Sequence, residues 1–296
     1  MPDLRGSPGR RVVLITGMSR GLGMRLATAF WCAGFNIFGT ARDLPVLEAS
    51  ADKIRTVPAQ TGQRIAVAGA DLRDPAAPTA LVARCIAEFG ELDVLICNAA
   101  IQGPVGPFWE QYLPDWESAL TVDLLAPVRL AHASLQAMLK PTTSQRTVLF
   151  LSGGGAAGPR PRFTAYATSK TGIVRFAETL AAELEGSGIS VNCIAPGAMP
   201  TDMLAEVAAA GIDRAGAAEV AAFHKAKSTG EAVMDRAAAL AVFLATTGAG
   251  ITGKLIAAQW DRWEDWPKYL DELNASDVYT LRRITGRDRN KEWGDR

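Results

Sequence analysis

Short runs of apolar and β-branched residues recur along the chain and alternate with longer segments whose apolar positions return at helical spacing. The runs are Val12–Thr16, Asn36–Thr40, Arg64–Ala70, Leu92–Cys97, Thr147–Ser152, Ser190–Ala195 and Lys254–Ala258. VLIC and VLFL are apolar at every position, the pattern of strands covered on both faces rather than strands with one wet face. Between the runs, Gly21–Ala33, Ala76–Phe89, Tyr166–Glu185 and Ala232–Ala245 are rich in Ala, Leu and Glu at helical periodicity. The alternation predicts βαβ units and an α/β fold. One doubly wound parallel sheet of about seven strands, with helices on both faces, fills a single domain over residues 12–260.

Three stretches fall outside that rhythm. Residues 1–11 hold Pro, Gly and Arg without an apolar run, and read as a flexible leader. Met199–Gly230 is Ala-rich and helical without a strand, and an excursion of that length predicts a lid-like insertion, 199–230, over a cleft. A C-terminal extension, 261–296, follows Trp260. Helical spacing of Trp260, Trp263 and Trp266 would put their rings on one side, as a core or subunit-contact stripe. Charge in the extension is polarised, with six acids against two bases in 261–277 and three against six in 278–296.

That polarity disappears in the whole chain, where 31 basic and 31 acidic residues cancel over 296 residues. A neutral balance argues against a dominant phosphate-neutralising surface, so nucleic acid is not an expected partner. No apolar run approaches the roughly 18 residues of a membrane span, and no membrane partner is expected. Cys32, Cys85, Cys97 and Cys193 are scattered without a C-x-x-C pair, which suits a reducing cytoplasm. Cys97 reads as a buried strand thiol. His132 and His224 lie far apart without clustered ligand types, so no metal site is expected.

Candidate chemistry begins directly after the first run, at Thr16-Gly17-Met18-Ser19-Arg20-Gly21-Leu22-Gly23, which leads into a helix. Glycines there let the backbone turn tightly and approach a pyrophosphate, favoured by the amides and dipole of the helix start. The second strand would end in an acid if the site held the ribose hydroxyls of NAD. Ala41 stands there, followed by Arg42, and Arg20 adds a second guanidinium. Two guanidiniums suit a 2′-phosphate, so NADP is favoured over NAD. Further along, Tyr166 and Lys170 in YATSK are four apart and share a helix face. A phenol is a poor base at neutral pH unless cations stabilise its phenolate, and Lys170 supplies one.

As a set, these residues resemble the short-chain dehydrogenase/reductase family in its single-domain, classical form. The likeness covers residues 12–260: TGMSRGLG, Asp71-Leu72 after the third strand, CNAA at 97–100, LSGGG at 151–155, YATSK at 166–170 and PGAMPTDM at 196–203. It implies a Rossmann-type fold and hydride transfer between a nicotinamide and a carbonyl or carbinol carbon. Tyr166 would be the general acid/base, and Lys170 would assist it and hold the nicotinamide ribose. Gly17, Ser19, Arg20, Gly21, Leu22, Gly23 and Arg42 would bind cofactor, with Asp71 and Leu72 at the adenine. Asn98 and Ala99 would lie near the riboses, and Pro196, Gly197 and Thr201 at the nicotinamide and pyrophosphate. The family also implies a homodimer or homotetramer built on the helices around Pro114–Leu139 and Tyr166–Glu185.

Three positions depart from the family pattern. The serine that usually precedes the tyrosine by thirteen residues is replaced by Gly153. A one-residue loop insertion would bring Ser152 to that place, with Thr164 as the alternative hydroxyl. Asp123 stands where an asparagine is common, and could pair with Lys170. CNAA replaces the usual NNAG. The segments following strand ends, Gln102–Tyr112, Ser152–Thr164 and Met199–Lys225, would wall the substrate site with Phe108, Trp109, Tyr112, Phe163, Met199 and Met203. The lining points to a small, mainly hydrophobic ketone or secondary alcohol. Arg160 and Arg162 could meet an anionic tail or be solvated. Reduction of a C=C or C=N bond and a non-catalytic NADP-binding regulator are the competing readings.

Overall fold

The computed structural model describes residues 10–140 and 144–291. Seven parallel strands form one sheet in the order β3-β2-β1-β4-β5-β6-β7. They are β1 (Val12–Thr16), β2 (Asn36–Ala41), β3 (Ile65–Gly69), β4 (Val94–Cys97), β5 (Arg146–Leu151), β6 (Ile189–Ala195) and β7 (Leu255–Ala257). Leu14 faces Phe38 of β2 on one side and Leu95 of β4 on the other. Strand order therefore reverses at β1, and the crevice beyond the carboxyl ends of β1 and β4 is the switch point where such sheets bind ligands.

Alternate strand side chains feed two cores, as expected when both faces are dry. Val13, Ile15, Leu149 and Leu151 pack with α1 (Gly21–Cys32), α2 (Leu44–Arg55) and α10 (Ala232–Ala245). Val12, Leu14, Val148 and Phe150 pack with α3 (Ala77–Phe89), α5 (Ala126–Met138) and α6 (Thr164–Glu183). Asp43 caps α2 by accepting from the Val46 amide at 3.1 Å. Among the described residues, no helix is long and apolar enough to cross a membrane.

The segment around Pro114–Leu139, expected as one long helix, is interrupted. It is α4 (Leu113–Leu120), a π-helical turn over Thr121–Leu125, and then α5. Pro127 in the first turn of α5 has no N–H to offer four residues back, so the regular ladder cannot run through. The turn carries Asp123, and π-turns inside helices often mark functional positions.

Met199–Gly230 folds into α7 (Asp202–Ala209), α8 (Gly211–Ala215) and α9 (Ala217–Thr229). Thr201 caps α7, and Gly216, at φ 93°, turns the chain between α8 and α9. Residues 1–9 of the expected leader lie outside the described residues. Arg10 and Arg11 of the expected leader are tied down. Arg10 donates to Gln60 and to the Thr61 carbonyl, and Arg11 to the carbonyls of Ala245 and Gln145.

The extension packs against the domain. Trp263 and Trp266, on a 3₁₀ segment (Trp263–Tyr269), enter the first core. Their ring partners are Phe243, with centroids 5.0 Å apart, and Tyr279, at 4.3 Å. Trp260 breaks the expected stripe. It precedes the helical segment and is 73% exposed. Beyond α11 (Leu270–Asn274) the chain runs along the sheet edge. The Leu255 amide of β7 donates to the Tyr279 carbonyl at 2.8 Å, and Lys254 Nζ to those of Ser276 and Val278.

Of the four cysteines, Cys85, Cys97 and Cys193 are buried and Cys32 is exposed. Burial pushes the Cys85 thiol up to about 12 and raises Cys97 and Cys193 as well. Since the thiolate is the reactive form, a thiol reagent is expected to label one cysteine in the native protein and four after denaturation. More than one rapid native label would contradict this burial.

Candidate active site

The glycine loop is held to the end of β4 by a small network. Asn98 Nδ2 donates to the Thr16 carbonyl at 2.8 Å, and the amides of Asn98 and Ala99 both reach Thr16 Oγ1 at 3.0 Å. A Cβ on Gly17 would lie 3.0 Å from Ala99 Cα, and one on Gly23 would lie 2.0 Å from the Gly17 carbonyl oxygen. No side chain fits at Gly23 without breaking the turn. Arg20 occupies the N-cap of α1 without a side-chain cap bond, and the first turn has no acid. The leading amides of α1 thus keep hydrogen-bonding capacity for an external anion, as a pyrophosphate site requires.

Around this loop the structure gathers most of the expected cofactor residues. Ser19 accepts Ser50 Oγ at its carbonyl, and Leu22 is buried in the core, so both shape the loop from behind. Thr201 Cγ2 would be 3.5 Å from a Cβ on Gly21, which brings the start of the insertion over the loop. Gly197 has φ 93°, and Gln259 Nε2 holds the Pro196 carbonyl at 3.0 Å. Arg20 pairs with Asp202 at 2.6 Å, both exposed. Asp71 is clasped by Nε and Nη2 of Arg73, whose hydrogen bonds hold its carboxyl below the usual range. Arg42 is exposed and acts on Asp71 through its charge. Leu72 points into the core.

Tyr166 lies in the first turn of α6, and Lys170 one turn on, at 3% exposure. Lys170 Nζ is 5.3 Å from the Tyr166 ring centroid, donates to the Leu151 carbonyl at 3.1 Å and faces Asp123 Oδ2 at 3.6 Å. Asp123 is itself buried, and its Oδ1 accepts the Ile101 amide at 2.9 Å. Burial weakens the ammonium's hold on its proton, but the charges of Asp123 and Tyr166 outweigh it, and Lys170 is raised. Burial likewise raises the Asp123 carboxyl against the pull of Lys170.

Among the described residues, two buried oxygens here have no hydrogen-bond partner, Asp123 Oδ2 and Ser152 Oγ. Gly153 is the residue that meets Tyr166, since a Cβ there would stand 2.4 Å from the phenolic oxygen. Ser152 closes β5, its amide bonded to the Ile194 carbonyl at 2.8 Å. Thr164 is already committed, donating to Gln111 Oε1 and accepting from Trp116 Nε1 at 3.0 Å each.

The expected walls come together only in part. Phe163, Val207 and Ala215 form a small buried cluster with Tyr166, Val105, Ala210 and Val220 against it. The insertion thereby packs directly on the tyrosine. Phe108, Trp109 and Tyr112 are exposed. Neither Arg160 nor Arg162 stands free for an anionic tail. Arg160 forms a bidentate pair with Glu219, and Arg162 binds the carbonyls of Ile212 and Asp213. Sequence reasoning did not single out Glu219, which lies 59 positions from Arg160. The only signal was the pair of arginines in PRPR.

A parallel sheet reversing at β1, a bare amide turn at the switch point and a tyrosine beside a buried lysine define a nucleotide-binding oxidoreductase of Rossmann type. The short chain dehydrogenase model matches residues 11–211, and the chain belongs to the short-chain dehydrogenase/reductase family of NAD(P)-dependent oxidoreductases. A short chain dehydrogenase of Pseudocercospora fijiensis is 33% identical over 195 residues, 65% of this chain and 61% of that relative. The chain thus covers less than two thirds of that protein. Among solved structures, 3-oxoacyl-[acyl-carrier protein] reductase of Brucella melitensis in complex with NAD is 27% identical, with TM-score 0.71 over 85% of this chain and 96% of that one. A variant of actinorhodin polyketide ketoreductase with NADPH is 25% identical, with TM-score 0.73 over 84% and 95%.

Proposed function

We propose that the protein is an NADP(H)-dependent oxidoreductase acting on a ketone or secondary alcohol of a small, mainly hydrophobic substrate, with Tyr166 as general acid/base. The buried Lys170 ammonium, held 5.3 Å from the Tyr166 ring, is the observation that carries this reading. A bound nicotinamide coenzyme supplies or accepts the hydride. In the reducing direction Tyr166 gives its proton to the carbonyl oxygen, and Lys170 stabilises the phenolate left behind. Ser152, whose hydroxyl lacks a partner among the described residues, is proposed to donate to the substrate oxygen. Asp123 keeps the ammonium charged and in place. The apolar cluster of Phe163, Val105, Val207 and Val220 beside Tyr166 favours a hydrophobic substrate body.

The coenzyme reading rests on Arg20 and Arg42. In this structure Arg20 has Asp202 as its partner, and a 2′-phosphate would compete for it. Arg42→Asp is expected to raise the KM for NADP at least about tenfold, the loss of one charge-assisted phosphate contact, and to favour NAD. Unchanged KM values for both coenzymes would refute the assignment. The same reading includes a cytoplasmic enzyme working as a homodimer or homotetramer, supported by Leu125 and Leu139 lying exposed along the Pro114–Leu139 segment.

NADPH absorbance decay against a panel of ketones, enones and imines tests the whole. Turnover of ketones supports the proposal, while turnover restricted to enones or imines moves the chemistry to C=C or C=N. Coenzyme binding without turnover on any class would identify a regulator.

A further inference from the structure

Between β5 and α6 the chain runs Gly153-Gly154-Gly155, and Arg160 lies across this bare backbone. A Cβ on Gly154 would be 3.7 Å from Arg160 Cδ, and one on Gly155 3.1 Å from Arg160 Cβ. The guanidinium carbon is 4.0 Å from the Phe163 ring centroid and 5.4 Å from that of Tyr166. Nε and Nη2 are taken by the two oxygens of Glu219, at 2.9 and 2.6 Å. The side chains of the pair are only 14% and 26% exposed.

A bidentate fork fixes a guanidinium in plane as well as in place. A lone loop arginine would instead spread over many rotamers in water. The insertion has other attachments. Arg162 holds the carbonyls of Ile212 and Asp213, Arg214 Nε holds the Val105 carbonyl at 3.0 Å, and Val207 is buried against Phe163. Fastening the insertion therefore does not by itself account for a cation stacked over the reactive tyrosine. Lys170 Nζ stands 5.3 Å from the same ring, so two fixed cations address Tyr166. One is carried by α6 itself, and the other is set by a residue of the insertion.

We infer that Arg160 is a positioning residue of this site, held over the Tyr166 ring by Glu219 of α9 so that, with Lys170, it supports the negative charge Tyr166 carries after giving up its proton. This rests on the acid/base reading of Tyr166. It makes the seating of α9 a condition for full activity. Gly155 fits the same arrangement, because a Cβ there would stand 3.1 Å from Arg160 Cβ as well as 2.8 Å from Ala167 Cβ.

The test uses the full chain, with NADPH and the best ketone of the panel, and four variants: Arg160→Gln, Arg160→Lys, Glu219→Gln and the exchanged pair Arg160→Glu/Glu219→Arg. Readouts are kcat, KM, NADPH affinity in the absence of ketone, and amide hydrogen exchange over residues 217–229. Arg160→Gln is expected to lower kcat about tenfold, the scale of one partly desolvated cation–ring contact, with NADPH affinity unchanged. Arg160→Lys recovers part of the loss. Glu219→Gln lowers kcat less and raises exchange in α9. The exchanged pair restores exchange protection while kcat stays as low as in Arg160→Gln, because it brings a carboxylate to the tyrosine. Recovery of both protection and kcat in the exchanged pair would reduce Arg160–Glu219 to an ordinary clasp and overturn the inference. Should the exchanged pair not regain protection, equal losses in Arg160→Gln and Arg160→Lys overturn it, and partial recovery in Arg160→Lys sustains it. Failure of the underlying acid/base reading shows separately, as wild-type kcat in Tyr166→Phe.

Discussion

Tyr166→Phe is expected to lower kcat by about 10²–10⁴-fold, the range that one positioned general acid or base contributes. The ring, its packing beside Phe163 and Val207, and the cations near it all remain in this variant. What disappears is the proton that the carbonyl oxygen must receive as hydride arrives. Coenzyme affinity is expected to change by no more than the roughly tenfold that one hydrogen bond accounts for. Steady-state rates and calorimetric coenzyme titration on the same preparation separate the two effects. A variant turning over near the wild-type rate would remove Tyr166 from the reaction, and a collapse of coenzyme binding would show that the substitution disturbs the fold of the site.

The second large effect is on stability. Asp123→Leu leaves the Lys170 ammonium buried without a counter-charge, and removing one partner of such a pair costs about 3–5 kcal/mol. For a chain of this size that corresponds to a fall in Tm of roughly 10 °C. Asp123→Asn is the milder change, because an amide oxygen can still accept the Ile101 N–H that Oδ1 holds at 2.9 Å. Its effect has a defined pH dependence. Lys170 is raised above its ordinary value in the folded protein despite burial, with Asp123 the leading opposing influence. The stability this contributes is complete below the ordinary lysine value and is lost as pH rises through the raised one. The Lys170 share of the stability gap between wild type and Asp123→Asn should therefore close only in strong alkali, while the raised Asp123 carboxyl adds stability on the acid side that is lost as pH rises through its own folded value. Thermal melts across that range check the sign, and an Asp123→Leu protein melting with the wild type would show that the pair carries no weight.

The strands were legible because burial on both faces leaves an uninterrupted apolar run. VLIC and VLFL announce themselves without help from distant residues. The glycine loop and the Tyr166–Lys170 pair were legible for a similar reason, since their geometry is local and spans a turn or two. The π-helical turn at Thr121–Leu125 was not, because one extra residue in a helix hardly alters its apolar periodicity and Pro127 fits a helix start equally well. Counting back from Tyr166 raised the question of a loop insertion near Ser152, whereas the reason for Gly153 lies in three dimensions, in the nearness of the phenolic oxygen. The spacing of Trp260 from Trp263 implies a common face only if both lie on one helix, and the helical segment begins at Trp263. The Arg160–Glu219 pair joins segments whose approach depends on how the insertion folds back, which neither segment encodes alone.

The carbonyl of Tyr279 that satisfies the Leu255 amide arrives very late in the chain. During synthesis every residue assigned here to coenzyme and proton transfer is made before the sheet can close its outer margin, and domains assemble largely in order of emergence. An unpaired strand margin is a template for another chain. A polypeptide terminated just before Tyr279 would keep Trp263, Trp266 and Leu273 for the core and every residue assigned to the reaction, and still present that template. The late residues thus cover that margin, and premature termination just before Tyr279 is expected to surface first as aggregation rather than as altered chemistry.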